Sequence, residues 1–187
     1  VALSENTIRA IAAEFPPWPD AINAEGKEIW VDVNDAYVNL LVEGSGIIHL
    51  THRKGEPNIA KISGIVGDAT IILEDDLELT VDMSADNRAP LAGHSVVVGE
   101  NARLILRQTS DMTADGQSLR EVDLSNITGA GTLELKSDNL KYSLKVGSSV
   151  SALSLCVNTK VVLDNGYTES APLVVNNLSG AGTFTFS

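Results

Sequence analysis

The side chains best able to do chemistry in this chain are carboxylates and imidazoles, and they gather in a few places. Glu74-Asp75-Asp76 is the densest acidic run, with Asp82 and Asp86 beyond it. Oxygen-rich clusters suit a hard cation such as calcium, and paired carboxylates suit glycoside hydrolysis. Glu74, Asp75 and Asp76 are therefore the calcium candidates. The run lacks both the Asp-x-Asp-x-Asp-Gly spacing and the glycine-rich nonapeptide of calcium-binding β-rolls. Three acids leaving a strand read more simply as a solvated turn. His49-Leu50-Thr51-His52-Arg53 concentrates the titratable nitrogens. On a strand His49 and His52 point to opposite faces, so joint metal ligation needs a turn at Thr51. A solvated strand end is the simpler expectation. His94 follows Gly93 in a turn and has no nearby sequence partner.

Asp32, Asp35, Asp123 and Asp164 sit on or beside expected strands and would line a groove. No Asp-Asp pair with a nearby Lys or Arg recurs at a coil interval, so no catalytic residue and no cofactor site is assigned. Trp18, Trp30, Tyr37, Tyr142 and Tyr167 would stack on sugar rings if exposed; the two tryptophans are expected to pack between an N-terminal helix and the first strands. Nothing marks Cys156 as reactive. Asn126-Ile127-Thr128 and Asn177-Leu178-Ser179 match the N-glycosylation pattern, but both coincide with a repeated corner. They read as structural, with Asn bonding backbone groups before a turn.

Composition narrows the classes. A formal net charge of −12 argues against nucleic acid as a partner, because a phosphate backbone would be repelled. No apolar run is long enough to span a membrane, and no signal peptide is visible at the start. The single cysteine excludes an internal disulfide. With aromatics at 4% of the 187 residues, Val, Ile and Leu must fill the core, and β-branched side chains suit pleated surfaces.

The elements that would hold these residues are mostly strands. Residues 3–15 predict one helix, with Ser4 as N-cap and Ile8, Ile11, Ala12 and Phe15 on one face. Leu3 would staple onto Ile8, and Pro16-Pro17 would end the helix. Residues 1–27 are thus expected to cap the domain formed by residues 28–187. From Glu28 on, alternation dominates: Ile29, Val31 and Val33 share one face, and Tyr37–Val42 follows.

The clearest pattern is a repeat. Asn126-Ile127-Thr128-Gly129-Ala130-Gly131-Thr132-Leu133-Glu134-Leu135 returns 51 positions later as Asn177-Leu178-Ser179-Gly180-Ala181-Gly182-Thr183-Phe184-Thr185-Phe186. Aligned on the last small residue before x-φ-x-φ (φ apolar), six corners emerge: Gly46, Ala69, Ala102, Gly131, Ser151 and Gly182. Their spacings of 23, 33, 29, 20 and 31 fall in the range of stacked supersecondary units. Length varies at the turns Asp86-Asn87-Arg88, Asp115-Gly116 and Asp164-Asn165-Gly166. Small corner residues let neighbouring backbones approach closely.

The expected fold is all-β, a parallel β-helix or solenoid of about six irregular coils with a short N-terminal capping α-helix. A β-sandwich or jelly-roll is the alternative, since alternating strands with Gly turns describe those folds too. The Gly-Ala-Gly-Thr-φ-x-φ copies resemble β-solenoid repeats of bacterial autotransporter passenger adhesins and related surface or phage-tail β-helices. The resemblance covers residues 122–135 and 173–187 and extends loosely elsewhere. It implies a non-enzymatic structural or adhesive module, extracellular or at the cell surface, with a host-surface or polysaccharide ligand. The alternative is a carbohydrate-active β-helix enzyme or polysaccharide-binding module. Phe186 is followed at once by Ser187, so the last strand edge is expected to meet an oligomer partner or further coils.

Overall fold

The computed structural model describes residues 7–8, 22–33, 38–52, 54–55, 57–84, 91, 93–109, 119–122, 126–137, 143–146, 153–155, 160–163, 173–175, 178–180 and 183–186. Among these there is no helix. The strands in chain order begin with β1 (Thr7–Ile8), β2 (Ile22–Asn23), β3 (Glu28–Asp32), β4 (Val38–Glu43), β5 (Ile47–Thr51) and β6 (Ile59–Val66). There follow β7 (Thr70–Leu73), β8 (Glu78–Met83), β9 (Val96–Val98), β10 (Arg103–Gln108), β11 (Leu119–Val122), β12 (Ile127–Gly129) and β13 (Thr132–Ser137). The last are β14 (Ser143–Val146), β15 (Leu153–Leu155), β16 (Lys160–Leu163), β17 (Leu173–Val175), β18 (Leu178–Gly180) and β19 (Thr183–Phe186).

The chain distributes these strands in a regular way. One sheet has the order β1-β3-β5-β7-β9-β12 and a second the order β19-β16-β13-β10-β8-β6-β4-β2. Between residues 28 and 108 consecutive strands alternate strictly between these two sheets. Later strands add a third sheet, β11-β14-β17, and a two-stranded one, β15-β18. Every described pairing is parallel. Parallel neighbours cannot be joined by a tight hairpin and need a crossover. Here the crossover is a strand of the opposite sheet. A sandwich or jelly-roll is built from antiparallel strands, and none of the described pairings is antiparallel.

Register explains why the alternating pattern suffices for a core. In the first sheet Ile29, Ile48, Ile71, Val96 and Ile127 form one ladder, and Val31, Leu50, Leu73 and Val98 another. In the second sheet Ala60, Leu79, Leu104, Leu133, Val161 and Phe184 align, as do Ile62, Val81, Leu106, Leu135, Leu163 and Phe186. The members of these ladders from Ile29 to Leu135 are buried in one cluster drawn from both sheets. Each fully buried Leu or Ile contributes about 1.5–3 kcal/mol relative to exposure. The face predicted for Ile29, Val31 and Val33 is the buried one.

The 51-residue repeat acquires a physical meaning: Leu133 pairs with Val161, which pairs with Phe184. The strands that close the two copies, β13 and β19, therefore lie two strands apart in the same sheet. The six corners divide between walls. Gly46 and Ala69 precede β5 and β7 of the first sheet, while Ala102, Gly131 and Gly182 precede β10, β13 and β19 of the second. Ser151 precedes β15 in the two-stranded sheet. One sequence pattern thus serves different corners, which is why the spacings look uneven. Where described, the corners are close contacts. A Cβ on Gly46 would lie 1.7 Å from the Ala24 carbonyl oxygen, and one on Gly131 would lie 2.2 Å from that of Gly99.

The N-terminal expectation needs correction. Thr7 and Ile8, in the middle of the predicted helix, form β1, pairing with Trp30 and Val31. The β-branched pair meets an open edge of β3, and a ladder outweighs the helical spacing of Ile8 with its neighbours. The rest of residues 3–15 lies outside the described residues. Strands β1 and β2 precede residue 28 yet belong to the two main sheets, so the expected cap region carries part of the strand framework.

Candidate functional site

Alternation that buries Ile29 and Val31 turns Glu28, Trp30 and Asp32 outward, and on β5 it turns out Ile47, His49 and Thr51. Parallel register sets Glu28 beside Ile47, Trp30 beside His49, and Asp32 beside Thr51. Glu74 follows β7 and is fixed by its backbone N–H, which donates to the Leu50 carbonyl at 3.0 Å.

His49 is the centre of this face. It points outward, yet only 7% of it is exposed. Its Nε2 lies 2.7 Å from Glu28 Oε1 and its Nδ1 2.5 Å from Glu74 Oε1. Its ring stacks on Trp30 with centroids 4.4 Å apart and planes 6° from parallel. The imidazole thus ties three successive strands of one sheet. Each ring nitrogen faces a carboxylate oxygen, so both are occupied by partners of the neighbouring strands. The expectation of a solvated strand end fails at His49, because the neighbouring strands supply carboxylates from 21 and 25 residues away.

Beyond the strand end, His52 Nε2 lies 2.6 Å from Asp76 Oδ1. Asn58 Nδ2 donates to the Asp76 carbonyl at 2.8 Å and to Oδ2 at 3.3 Å. The His52 hydrogen bond holds the Asp76 carboxyl below its ordinary value of 3.8 against an opposing desolvation effect, and Asn58 adds to the lowering. The calcium candidates therefore diverge: Glu74 turns to His49 and Asp76 to His52. Asp75 occupies the left-handed region, φ 54°, at the tip of the turn closed by Leu77 N–H to the Glu74 carbonyl. Asp tolerates that conformation better than most residues. Among the described residues no group of three or more His, Cys, Asp or Glu is arranged to hold a metal ion.

The other candidates are scattered. Thr51 Oγ1 donates to Asp32 Oδ1 at 2.8 Å. Asp82 stands on the outward face of the second sheet, where Arg107 grips it through Nε and Nη2 at 2.8 and 2.9 Å. Four residues before Arg107 on β10, Arg103 pairs with Glu134. Trp30 packs on the outer face against His49. Asp35, Asp86, Asp123, Asp164, Trp18, the three tyrosines and Cys156 lie outside the described residues, as do the corners Ser151 and Gly182.

His94 and Asn126 belong to the scaffold. His94 is 1% exposed, with Nδ1 2.7 Å from the Ala69 carbonyl and Nε2 3.1 Å from that of Ile65. Asn126 Nδ2 donates to the His94 carbonyl at 2.7 Å and the Leu91 carbonyl at 3.1 Å. The structural reading of Asn126 thus has a geometry, although its partners lie 32 and 35 residues back and are not local. Asn177 is outside the described residues.

No protein-family model, no curated protein and no solved structure matches the chain.

Proposed function

We propose that this chain is a parallel β-solenoid segment and serves as a non-enzymatic structural or adhesive module of an extracellular or cell-surface protein. The observation that carries the reading is the alternation of strands between two sheets, in which each return adds a strand in parallel register. Such a unit buries its apolar face only by stacking on its neighbours, so it builds length and lateral surface. The resemblance of the Gly-Ala-Gly-Thr corners to autotransporter and phage-tail β-helices points the same way. The held ring of His49 and the paired Asp82 support a non-catalytic reading, since each is committed to a structural partner.

The competing reading is a carbohydrate-active β-helix, favoured by one observation: Trp30 shares the outward face with Glu28, Asp32 and Glu74. The two are separated by small-angle scattering together with incubation against acidic and neutral polysaccharides. The scaffold reading expects an elongated particle and intact polymers. Depolymerisation that disappears in Asp32→Asn would overturn it, and so would a spherical scattering profile.

A further inference from the structure

We infer that the outward face of the first sheet docks an extended, cationic peptide segment of a partner protein. This rests on the adhesive reading and names the surface and the chemistry that would serve it. Ile47, Ile72 and Val97 are outward and partly exposed, giving an apolar floor across β5, β7 and β9. Glu28, Asp32 and Glu74 rim it, and among the described outward positions of these strands there is no Lys or Arg. The side chains of Glu28 and Glu74 remain 52% and 36% exposed even while each gives an oxygen to His49. The second sheet carries both signs. Its outward positions hold Lys61, Arg103, Arg107 and Lys136 among Glu78, Asp82 and Glu134, with Arg107 gripping Asp82 and Arg103 paired with Glu134. Among the described outward strand positions of these two sheets, the Lys and Arg side chains therefore stand on the second sheet, in a chain of net charge −12. Charge complementarity directs a basic partner to the first sheet's face and turns nucleic acid away.

A peptide fits better than a sugar polymer, and Trp30 is the reason. A sugar ring needs the open face of an aromatic side chain. Trp30 has one face stacked on His49, so that face is closed to a sugar ring. Arginine and lysine side chains can meet the carboxylates while intervening apolar residues lie on the isoleucines.

The test uses the intact chain and a fluorescein-labelled peptide of alternating arginine and valine, read by anisotropy at low and high salt. Binding should be saturable, weaken with salt, and fall roughly tenfold in E28Q/D32N/E74Q, as expected for the loss of three rim charges. Val97→Lys, which stands one strand further from His49, beyond its register neighbour Ile72, should weaken it as well. The control E43Q/D68N/E100Q removes the same charge from other exposed positions and should bind as the parent does. Equal loss in the control would mean attraction by net charge alone and overturn the proposal. Absence of peptide binding, or binding of a chitosan oligosaccharide in the peptide's place, would overturn it too. Scattering recorded on each variant ties a change in binding to the face and not to the stack.

Discussion

Replacing Gly46 by Ala tests whether the small corner residues are there for close approach. An alanine Cβ would lie 1.7 Å from the Ala24 carbonyl oxygen and 2.4 Å from that of Lys27. Both are fixed backbone atoms, so the corner itself must open. Two ladder bonds meet there: Ile47 N–H to the Lys27 carbonyl and Thr70 N–H to the Gly46 carbonyl, each at 2.9 Å. Weakening them costs about 0.5–1.5 kcal/mol apiece, and forcing atoms into a packed site costs about 1–3 kcal/mol. Restricting the unfolded chain returns about 0.4–1 kcal/mol. Taken at the middle of these ranges, the net expectation is a loss of about 3 kcal/mol. Gly55 is the control: its φ is +91° but an added Cβ meets nothing within 4 Å. Gly55→Ala should therefore cost only the left-handed penalty, about 1–2 kcal/mol. Urea unfolding followed by circular dichroism compares them. A Gly46→Ala loss no greater than that of Gly55→Ala would refute the stacking argument.

Other outcomes follow from the same contacts. His49→Ala removes two hydrogen bonds to carboxylates and a ring stack and leaves Glu28 and Glu74 without their shared partner. With both carboxylates partly solvated, about 2–4 kcal/mol of stability should be lost, and urea unfolding of a double-mutant cycle with Trp30→Ala should show coupling of about 0.5–1.5 kcal/mol. Asp76 has a lowered folded-state value, so its contribution is present above the ordinary 3.8 and disappears as pH falls through the lower folded value. Urea midpoints measured down a pH series should show the parent's advantage over Asp76→Asn shrinking below about 3.8. Gln108 is fully buried, and neither atom of its amide has a hydrogen-bond partner among the described residues. Gln108→Met keeps the shape and removes a desolvation penalty of about 1–3 kcal/mol, so it should raise the melting temperature by a few degrees.

The apolar half of the fold was legible in the sequence. Ile29/Val31, Leu104/Leu106 and Leu133/Leu135 announce inward faces by their period of two, and the structure buries all of them. The wall to which each pair belongs was not legible. The same small-x-φ-x-φ pattern opens β5 of the first sheet and β10 of the second, because both corners need small residues and both strands need two inward side chains. The His49 site was hidden for a related reason. Glu28, His49 and Glu74 meet only through parallel register across turns of unequal length, and no local pattern encodes that register. Ile8 and Ile11 fit a helical face, but Thr7 and Ile8 also fit an open strand edge, and local spacing does not rank those two.

Cysteine cross-linking between β8 and β10, in a Cys156→Ser background, tests the parallel stacking most directly. Glu78 is the register partner of Arg103, and Asp82 that of Arg107. Cα atoms of paired strands lie about 4.8 Å apart, within disulfide reach. Oxidation should close the double variants E78C/R103C and D82C/R107C and leave E78C/R107C and D82C/R103C open. Closure of the crossed pairs in place of the aligned ones would mean antiparallel strands and would contradict the account.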